Sequence, residues 1–259
     1  MNKTMLLKKE LPSWDLSDLY KSTQSQEINF DLSKLENLTT NFNKKYKGNV
    51  HKLSDKKFYD LFNSLEKIEK LSGRLISYAY LNYCENVSSE EKNKFLSDIQ
   101  EKLVKFESKM LFLSLEINSI SEKKFRKLIA KKSKVKKYET FFNKLRLFKP
   151  YQLSESMENL LNEYKSSSKS SWCKLFDETI SELSISISNK KYSFEESLNL
   201  FQSPNSKTRA MAGIKLSESL KEKIKIFCRI TNTLAKEKQI EDEKRNFSDP
   251  AASRHLANS

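Results

Sequence analysis

Histidine is the side chain most often used for metal binding and for general-base catalysis, and this sequence has only two, His51 and His255. Neither belongs to an HExxH motif, in which two histidines one helical turn apart bind zinc. Neither lies in the sequence context of a nucleophile, and there is no GxSxG turn. The sequence therefore predicts no catalytic residue and no metal-binding residue in this chain, and it leaves the substrate-binding residues unknown.

The other residue types that carry chemistry are equally uninformative. Cys84, Cys173 and Cys228 are dispersed and form no CxxC pair, which argues against a disulfide framework or a zinc knuckle. We expect them to be buried thiols in a reducing compartment. The three glycines are too scattered to form a phosphate-binding loop.

The composition favours long helices. Proteins built from many tight turns need glycine and proline at their corners, and this chain of 259 residues has 3 glycines and 4 prolines. Charged residues make up 32% of the sequence. A chain of this length can also bury a substantial core.

The net charge of +14 raises the question of an anionic partner. Residues 121–149 hold twelve Lys or Arg against two Glu. A solvated helical face explains this segment better than a binding groove. The alternative is a stand-alone basic helical module that binds RNA or an acidic surface through 121–149. We do not expect nucleic acid, because only seven of the 48 cationic residues are Arg, which binds phosphate with a fork of donors.

The sequence also bears on cellular location. The first residues contain no apolar run long enough for a signal peptide, and no segment approaches the roughly 18 apolar residues of a membrane span. We expect a cytoplasmic protein with no membrane partner.

The first part of the chain shows helical periodicity. An opening segment over residues 1–28 is followed by a stripe from Leu32 to Tyr46, and Gly48 ends that element. Ser54 is the expected N-cap of a second stripe, which runs from Phe58 to Tyr83. Ser88 or Ser89 precedes a third stripe over residues 95–117. These patterns predict long antiparallel helices.

The second part is more mixed. We take the Ser-rich run 166–171 as a linker, which divides the chain into a helical bundle at 1–165 and a smaller region at 166–259. Strict alternation over 183–187 predicts one strand within a small β element near 183–192. Ser193 caps the next helix, and Ser206 caps a longer one that runs roughly to Ile240.

Several short motifs occur in an order that resembles the N-terminal half of oligoendopeptidase F, in the M3 family of zinc metallo-oligopeptidases. They are Trp14 to Tyr20 (WDLSDLY), Gly73-Arg74-Leu75 with Tyr78-Ala79, Lys149 to Glu155 (KPYQLSE) with Glu158, Trp172 with Leu175-Phe176, Arg209-Ala210 with Leu216, and Arg245 with Asp249-Pro250 and Arg254 to Asn258. Family members often have His where this chain has Tyr151. Together these motifs cover nearly the whole chain.

The resemblance implies a helical bowl around a channel in which zinc cleaves short peptides. In that family two histidines of HExxH and a later Glu hold the metal, and the motif's Glu is the general base. We expect this chain to stop before those residues, to bind no zinc and to be inactive alone. Its partners would be short peptides and its own C-terminal peptidase domain. A third hypothesis is an inactive remnant with exposed apolar surface.

Overall fold

The computed structural model describes residues 14–130 and 133–258, and the chain is mostly helical over these ranges. The α-helices are α1 (Gln26–Tyr46), α2 (Asp55–Glu85), α3 (Glu90–Met110), α4 (Phe112–Ser119), α5 (Glu122–Leu128), α6 (Glu139–Leu147), α7 (Glu155–Tyr164), α8 (Lys169–Ser181), α9 (Phe194–Asn199), α10 (Ser206–Glu222), α11 (Ile224–Lys244) and α12 (Ala252–Ala257). Short 3-10 helices cover Val50–Lys52, Lys134–Tyr138, Lys149–Tyr151 and Leu200–Gln202. The strands are β1 (Ile185–Ile187) and β2 (Lys190–Tyr192).

The main hydrophobic core lies in a bundle formed by α1, α2 and α3, which all pack against one another. Short connections between consecutive long helices make neighbouring helices antiparallel. The buried side chains follow the predicted stripes, as Leu35, Leu61 and Ile99 illustrate. The same core extends through α4, α5 and α6 to Phe142, which is fully buried. The prediction of a mostly helical fold with long antiparallel helices is confirmed.

Two of the predicted serine caps, Ser89 and Ser193, form side-chain cap bonds, and Ser54 holds the N-cap position of α2 without such a bond. The side chains of Ser89 and Ser154 accept hydrogen bonds from the backbone three residues later, at Lys92 and Met157. Ser193 forms a complete capping box with Glu196. Gly48 has a φ of 77°, in the left-handed region, just after α1 ends.

A second, smaller cluster forms around the β-hairpin. Ile185 and Ile187 of β1 pack with Ala212 and Leu216 of α10. The two strands are antiparallel and are joined through Ser188 and Asn189, which both have positive φ. Two successive residues of that kind match the right-handed twist of a hairpin. The predicted small β element near 183–192 is therefore present.

Three predicted boundaries need correction. The helix predicted from Ser206 to Ile240 is capped by Asn205 and breaks at Lys223, which is at once the C-cap of α10 and the N-cap of α11. The third stripe is likewise interrupted at Leu111, between α3 and α4. The predicted linker at 166–171 is short, because α8 already begins at Lys169. The opening segment lies outside the described residues up to position 13. The division at 165 stays a prediction.

The prediction that the three cysteines are buried was wrong. All three thiols are free and exposed, because each lies on the solvent side of its helix. Apolar character alone does not assign a small side chain such as cysteine to the buried face.

A buried polar contact joins the opening segment to the bundle. The Tyr20 hydroxyl donates to Asp31 Oδ2 at 2.7 Å, and Arg74 Nη1 donates to the same oxygen at 3.1 Å. Arg74 also donates to the Leu19 carbonyl, and its guanidinium lies 4.2 Å from the centre of the Tyr20 ring. Burial, followed by the bond to Asp31, raises the pKa of Tyr20. Two of the motifs noted in the sequence, WDLSDLY and Gly73-Arg74-Leu75, therefore meet here.

The Arg74 contact gives a stability prediction. Arg74→Met leaves the Asp31 carboxylate, which is 6% exposed, without its charged partner, and we expect a loss of about 2 kcal/mol in the free energy of unfolding. Arg126→Met is the matched control, because Arg126 pairs with Glu122 at the exposed surface and should cost less than about 0.5 kcal/mol. Urea unfolding measures both. Equal losses in the two variants would contradict the role assigned to Arg74.

Candidate functional site

The basic segment 121–149 is divided among several short elements and does not form one helical face. Four of its ten described cations, including Lys137 with Glu66, form ion pairs with acids. Arg126 and Arg146 both bond to Glu122, and Lys136 bonds to Glu139. Lys131 and Lys132 lie outside the described residues. The ion pairs reduce the charge that this segment offers to an anionic partner.

A more distinctive feature is a cleft between the bundle and α11, which we call the central cleft. Its volume is about 540 Å³, within the range of pockets that hold small ligands. Its apolar walls come from both sides of the cleft. They are formed by Leu111, Leu115, Leu145, Phe148, Leu234 and Phe247.

A bidentate ion pair forms part of the lining of the central cleft. Arg245 Nη1 donates to Glu158 Oε1 at 2.7 Å, and Arg245 Nη2 donates to Glu158 Oε2 at 2.9 Å. Arg245 Nε donates to Glu241 at 2.8 Å, and Nη1 also reaches the Tyr151 carbonyl at 3.2 Å. The side chains of Arg245 and Glu158 are only 18% and 15% exposed. Fork-to-fork pairs of this kind fix geometry as well as adding energy.

The electrostatics of this pair favour its charged form. Burial of Glu158 opposes ionisation, but the hydrogen bonds from Arg245 and from the Leu153 N–H outweigh it and lower the pKa of Glu158. The pKa of Arg245 is raised, chiefly by its bond to Glu158. Both groups therefore stay ionised at neutral pH and hold the two sides of the cleft together.

Aromatic and amide contacts complete the cleft. The rings of Tyr151 and Phe247 stack with centroids 4.0 Å apart and an interplanar angle of 14°. Asn118 is buried, and its Nδ2 donates to Gln152 Oε1 at 2.8 Å. Its Oδ1 is also buried and has no hydrogen-bond partner among the described residues. An unsatisfied acceptor at such a site is costly unless a ligand or water supplies a donor.

Comparison with known proteins shows which proteins the chain is similar to. The family profile for oligopeptidase F matches residues 116–184. Oligopeptidase PepF of Bacillus subtilis (strain 168) is 27% identical over 157 residues, which is 58% of this chain and 22% of that protein. The crystal structure of oligoendopeptidase-F from Enterococcus faecium superposes with a TM-score of 0.74 and 16% identity, covering 88% of this chain and 46% of that one.

The chain is similar to the N-terminal part of oligoendopeptidase F. A putative peptidase from Chlamydophila abortus also shares the fold, with a TM-score of 0.54, 16% identity and coverage of 95% of this chain and 42% of that one. The chain thus spans less than half the length of each of these relatives. The resemblance to oligoendopeptidase F predicted from the motifs is confirmed.

The structure gives the oligoendopeptidase F motifs a physical meaning. Tyr151 and Glu158 come from the KPYQLSE motif and its continuation, and they meet Arg245 of the last motif. Arg209 instead donates to the carbonyls of Ser203 and Pro204, just before the helix that it belongs to. Sequence reasoning identified these residues as resembling the family but assigned them no contacts. It missed Asn118, which gave no signal in the sequence beyond being a polar residue within an apolar run.

The two histidines lie apart from the central cleft lining. His51 is exposed in the 3-10 helix after α1, and its carbonyl accepts a bond from Lys124. His255 is exposed in α12. Within residues 14–130 and 133–258 no group of three or more His, Cys, Asp or Glu could hold a metal ion. None of the helices described there is long and apolar enough to cross a membrane.

The Glu158–Arg245 pair gives a pH prediction. A carboxylate with a lowered pKa contributes stability above its unfolded pKa, and this contribution is lost as pH falls through the lower folded value. We expect Glu158→Gln to cost about 2 kcal/mol at pH 7, since it leaves Arg245 without its main charged partner. The difference in the free energy of unfolding between the variant and the wild type should become smaller once pH falls below 4.5, the ordinary pKa of Glu. Urea midpoints measured from pH 7 to pH 3 test this.

The control for that series is Glu155→Gln. Glu155 lies on the same helix and pairs with Lys47, but both side chains are more than 40% exposed. This variant should change stability by less than about 0.5 kcal/mol at every pH. If the loss of stability in Glu158→Gln does not vary with pH, the ionised pair is not the cause of that loss.

Proposed function

We propose that this chain is the N-terminal, channel-forming part of a zinc metallo-oligoendopeptidase that hydrolyses short peptides. Its similarity to oligopeptidase F over residues 116–184 carries the proposal. The central cleft supports it, because it combines apolar walls with a few convergent polar groups, as small-ligand sites generally do. A wall that narrows the channel would allow only short, unstructured peptides to enter.

The zinc of such an enzyme does not fit residues of this chain. There is no HExxH in its sequence, and no metal-ligand cluster exists within the described residues. We therefore assign zinc and the hydrolytic step to a C-terminal peptidase domain and give this chain the roles of binding and positioning the peptide. We also propose that the enzyme is cytoplasmic.

The hydrophobic side chains that are exposed after position 150 support the proposal that another domain docks there. Most of the large hydrophobic side chains that are exposed in the described residues lie after position 150. Leu160, Ile214 and Ile224 have 55%, 55% and 52% of their surface exposed. The 21-residue helix α11 buries only one side chain, Ile230. Large exposed apolar surfaces of this kind usually mark an interface, and we propose the peptidase domain as its occupant.

The activity is tested with a quenched fluorescent peptide of about eight residues. We expect no cleavage by this chain alone, and cleavage by the same chain joined to the peptidase region of Bacillus subtilis oligopeptidase PepF or of its own gene. A chelator should abolish that activity and added zinc should restore it. Cleavage by this chain alone would refute the assignment of catalysis to another domain. Inactivity of every joined protein that folds would refute the peptidase proposal.

Docking of a peptidase domain on α10 and α11 predicts that these helices are locally less stable than the bundle when the chain is alone. With little apolar surface buried, α10 and α11 should exchange their amide hydrogens faster than α1 to α3 in the isolated chain. Joining the peptidase region should slow exchange in α10 and α11 by at least about tenfold and leave the bundle unchanged. Hydrogen exchange read by mass spectrometry measures both regions in one experiment. Equal protection of the two regions in the isolated chain would argue against an uncovered docking face.

A further inference from the structure

Two neighbouring cavities on the bundle, which we call the lysine cavities, share no lining residue with the central cleft. The larger has a volume of about 670 Å³ and lies between the start of α2 and α5. Its lining includes Lys56, Lys123, Lys124 and Lys127. The smaller, of about 430 Å³, shares Leu53 with it. Its lining includes Lys45, Lys52 and Lys57.

These lysines keep their charge uncompensated. Within residues 14–130 and 133–258 none of the seven forms an ion pair with an acid. Lys124 donates to the His51 carbonyl, and Lys45 Nζ lies 4.8 Å from the centre of the Tyr46 ring, but neither contact brings a negative charge. Each lining contains one acid, Asp55 or Asp60. A concave surface dominated by one sign of charge focuses the field and concentrates ions of the opposite sign.

The protein itself holds the lysine-bearing segments together. The Glu116 carboxylate of α4 accepts bonds from the backbone N–H of Gly48 at 2.5 Å and from that of Val50 at 3.0 Å. Phe125 and Leu128 bury α5 in the bundle core, with 4% and 2% of their surface exposed. The bond from Lys124 to His51 then joins α5 to the 3-10 helix after α1. The cavities therefore do not need a ligand to assemble them.

The other donors in the lining suit phosphate. Ser54 and Ser121 line the larger cavity, and neither hydroxyl caps its own helix, so both can donate to a ligand. Phosphate oxygens accept bonds from hydroxyl and ammonium groups, and lysine binds them as a point charge. The two linings contain no arginine, and their one aromatic residue, Tyr46, is buried. A nucleic acid base would find no exposed ring on which to stack.

From this lining we infer that the lysine cavities bind a linear chain of phosphate groups, as in inorganic polyphosphate. Successive phosphates of one chain carry closely spaced negative charges, and such a chain can pass from one cavity to the other beside Leu53. The ligand is recognised by charge and by hydroxyl donors, and a nucleoside adds nothing. This inference is independent of the peptidase proposal, because it uses no residue of the central cleft or of the docking surface on α10 and α11.

Calorimetric titration of the chain with tripolyphosphate at pH 7 tests the inference. We expect saturable binding in the submillimolar range, on the order of 100 μM at low salt. The affinity should fall as salt is raised, because each phosphate that pairs with a lysine releases counter-ions. ATP also has three phosphates and should bind within about threefold of tripolyphosphate, since its base has no ring to stack on.

Variants assign the binding to the cavities. Lys56→Gln combined with Lys127→Gln removes one exposed lysine from each side of the larger cavity and should weaken binding roughly tenfold. The matched control is Lys94→Gln combined with Lys102→Gln. It removes the same charge from exposed positions on α3 outside both cavities, and should weaken binding by less than about twofold. Ser121→Ala tests the hydroxyl and should weaken binding roughly threefold.

Four outcomes overturn the inference. They are no binding at millimolar tripolyphosphate, equal losses in the two double variants, ATP binding more than about tenfold tighter than tripolyphosphate, and an RNA decamer binding more tightly than polyphosphate of equal length. Equal losses would mean that only net charge matters, and the last two would mean that bases are recognised. None of these measurements depends on peptide cleavage. The phosphate site can therefore stand if the peptidase proposal fails, and fail if it stands.

Discussion

The contact between Glu158 and Arg245 joins α7 to the end of α11 by a bidentate ion pair in the lining of the central cleft. Glu158 lies on α7, which packs against α3 of the bundle, and Arg245 is the residue on which α11 ends. The hydrophobic cluster of the bundle and the cluster around the β-hairpin are separate, and within the described residues neither includes a side chain of α7 or α11. Because the pair is bidentate and little exposed, it fixes the angle of α11 and not merely its distance.

Stability is distributed unevenly as a consequence. The bundle buries aromatic and aliphatic side chains from six helices, whereas α10 and α11 together bury three residues in the described structure, Ala212, Leu216 and Ile230. Burial of apolar surface contributes about 25 cal/mol per Å², so α10 and α11 gain far less from burial than the bundle does. A region with few buried contacts opens at low free energy, so α10 and α11 should open more readily than the bundle.

The sequence predicted the bundle well because its helices are amphipathic and capped. The stripe from Phe58 to Tyr83 and the cap at Ser89 are local signals, and local signals suffice where one helix face is buried. The break at Lys223 was missed because no proline or glycine marks it. The contact between Glu158 and Arg245 in the central cleft could not be predicted, because the two residues are 87 positions apart in the sequence. Helical periodicity carries no information about a contact at that separation. The resemblance to a family showed that both residues lie in its motifs, but it did not show that they touch.

The few arginines show how a lysine-rich chain still specifies such contacts. Arg74, Arg146 and Arg245 each donate to a backbone carbonyl of another segment and to a carboxylate at the same time. Lysine has a single ammonium group on a flexible stem and cannot hold two acceptors in one plane. The abundant lysines are mostly exposed, where their exact position matters little. Composition can therefore shift toward lysine over the surface without changing the fold. The residues that orient the opening segment, the basic segment and α11 must remain arginine, because only its planar fork reaches the carbonyl and the carboxylate together.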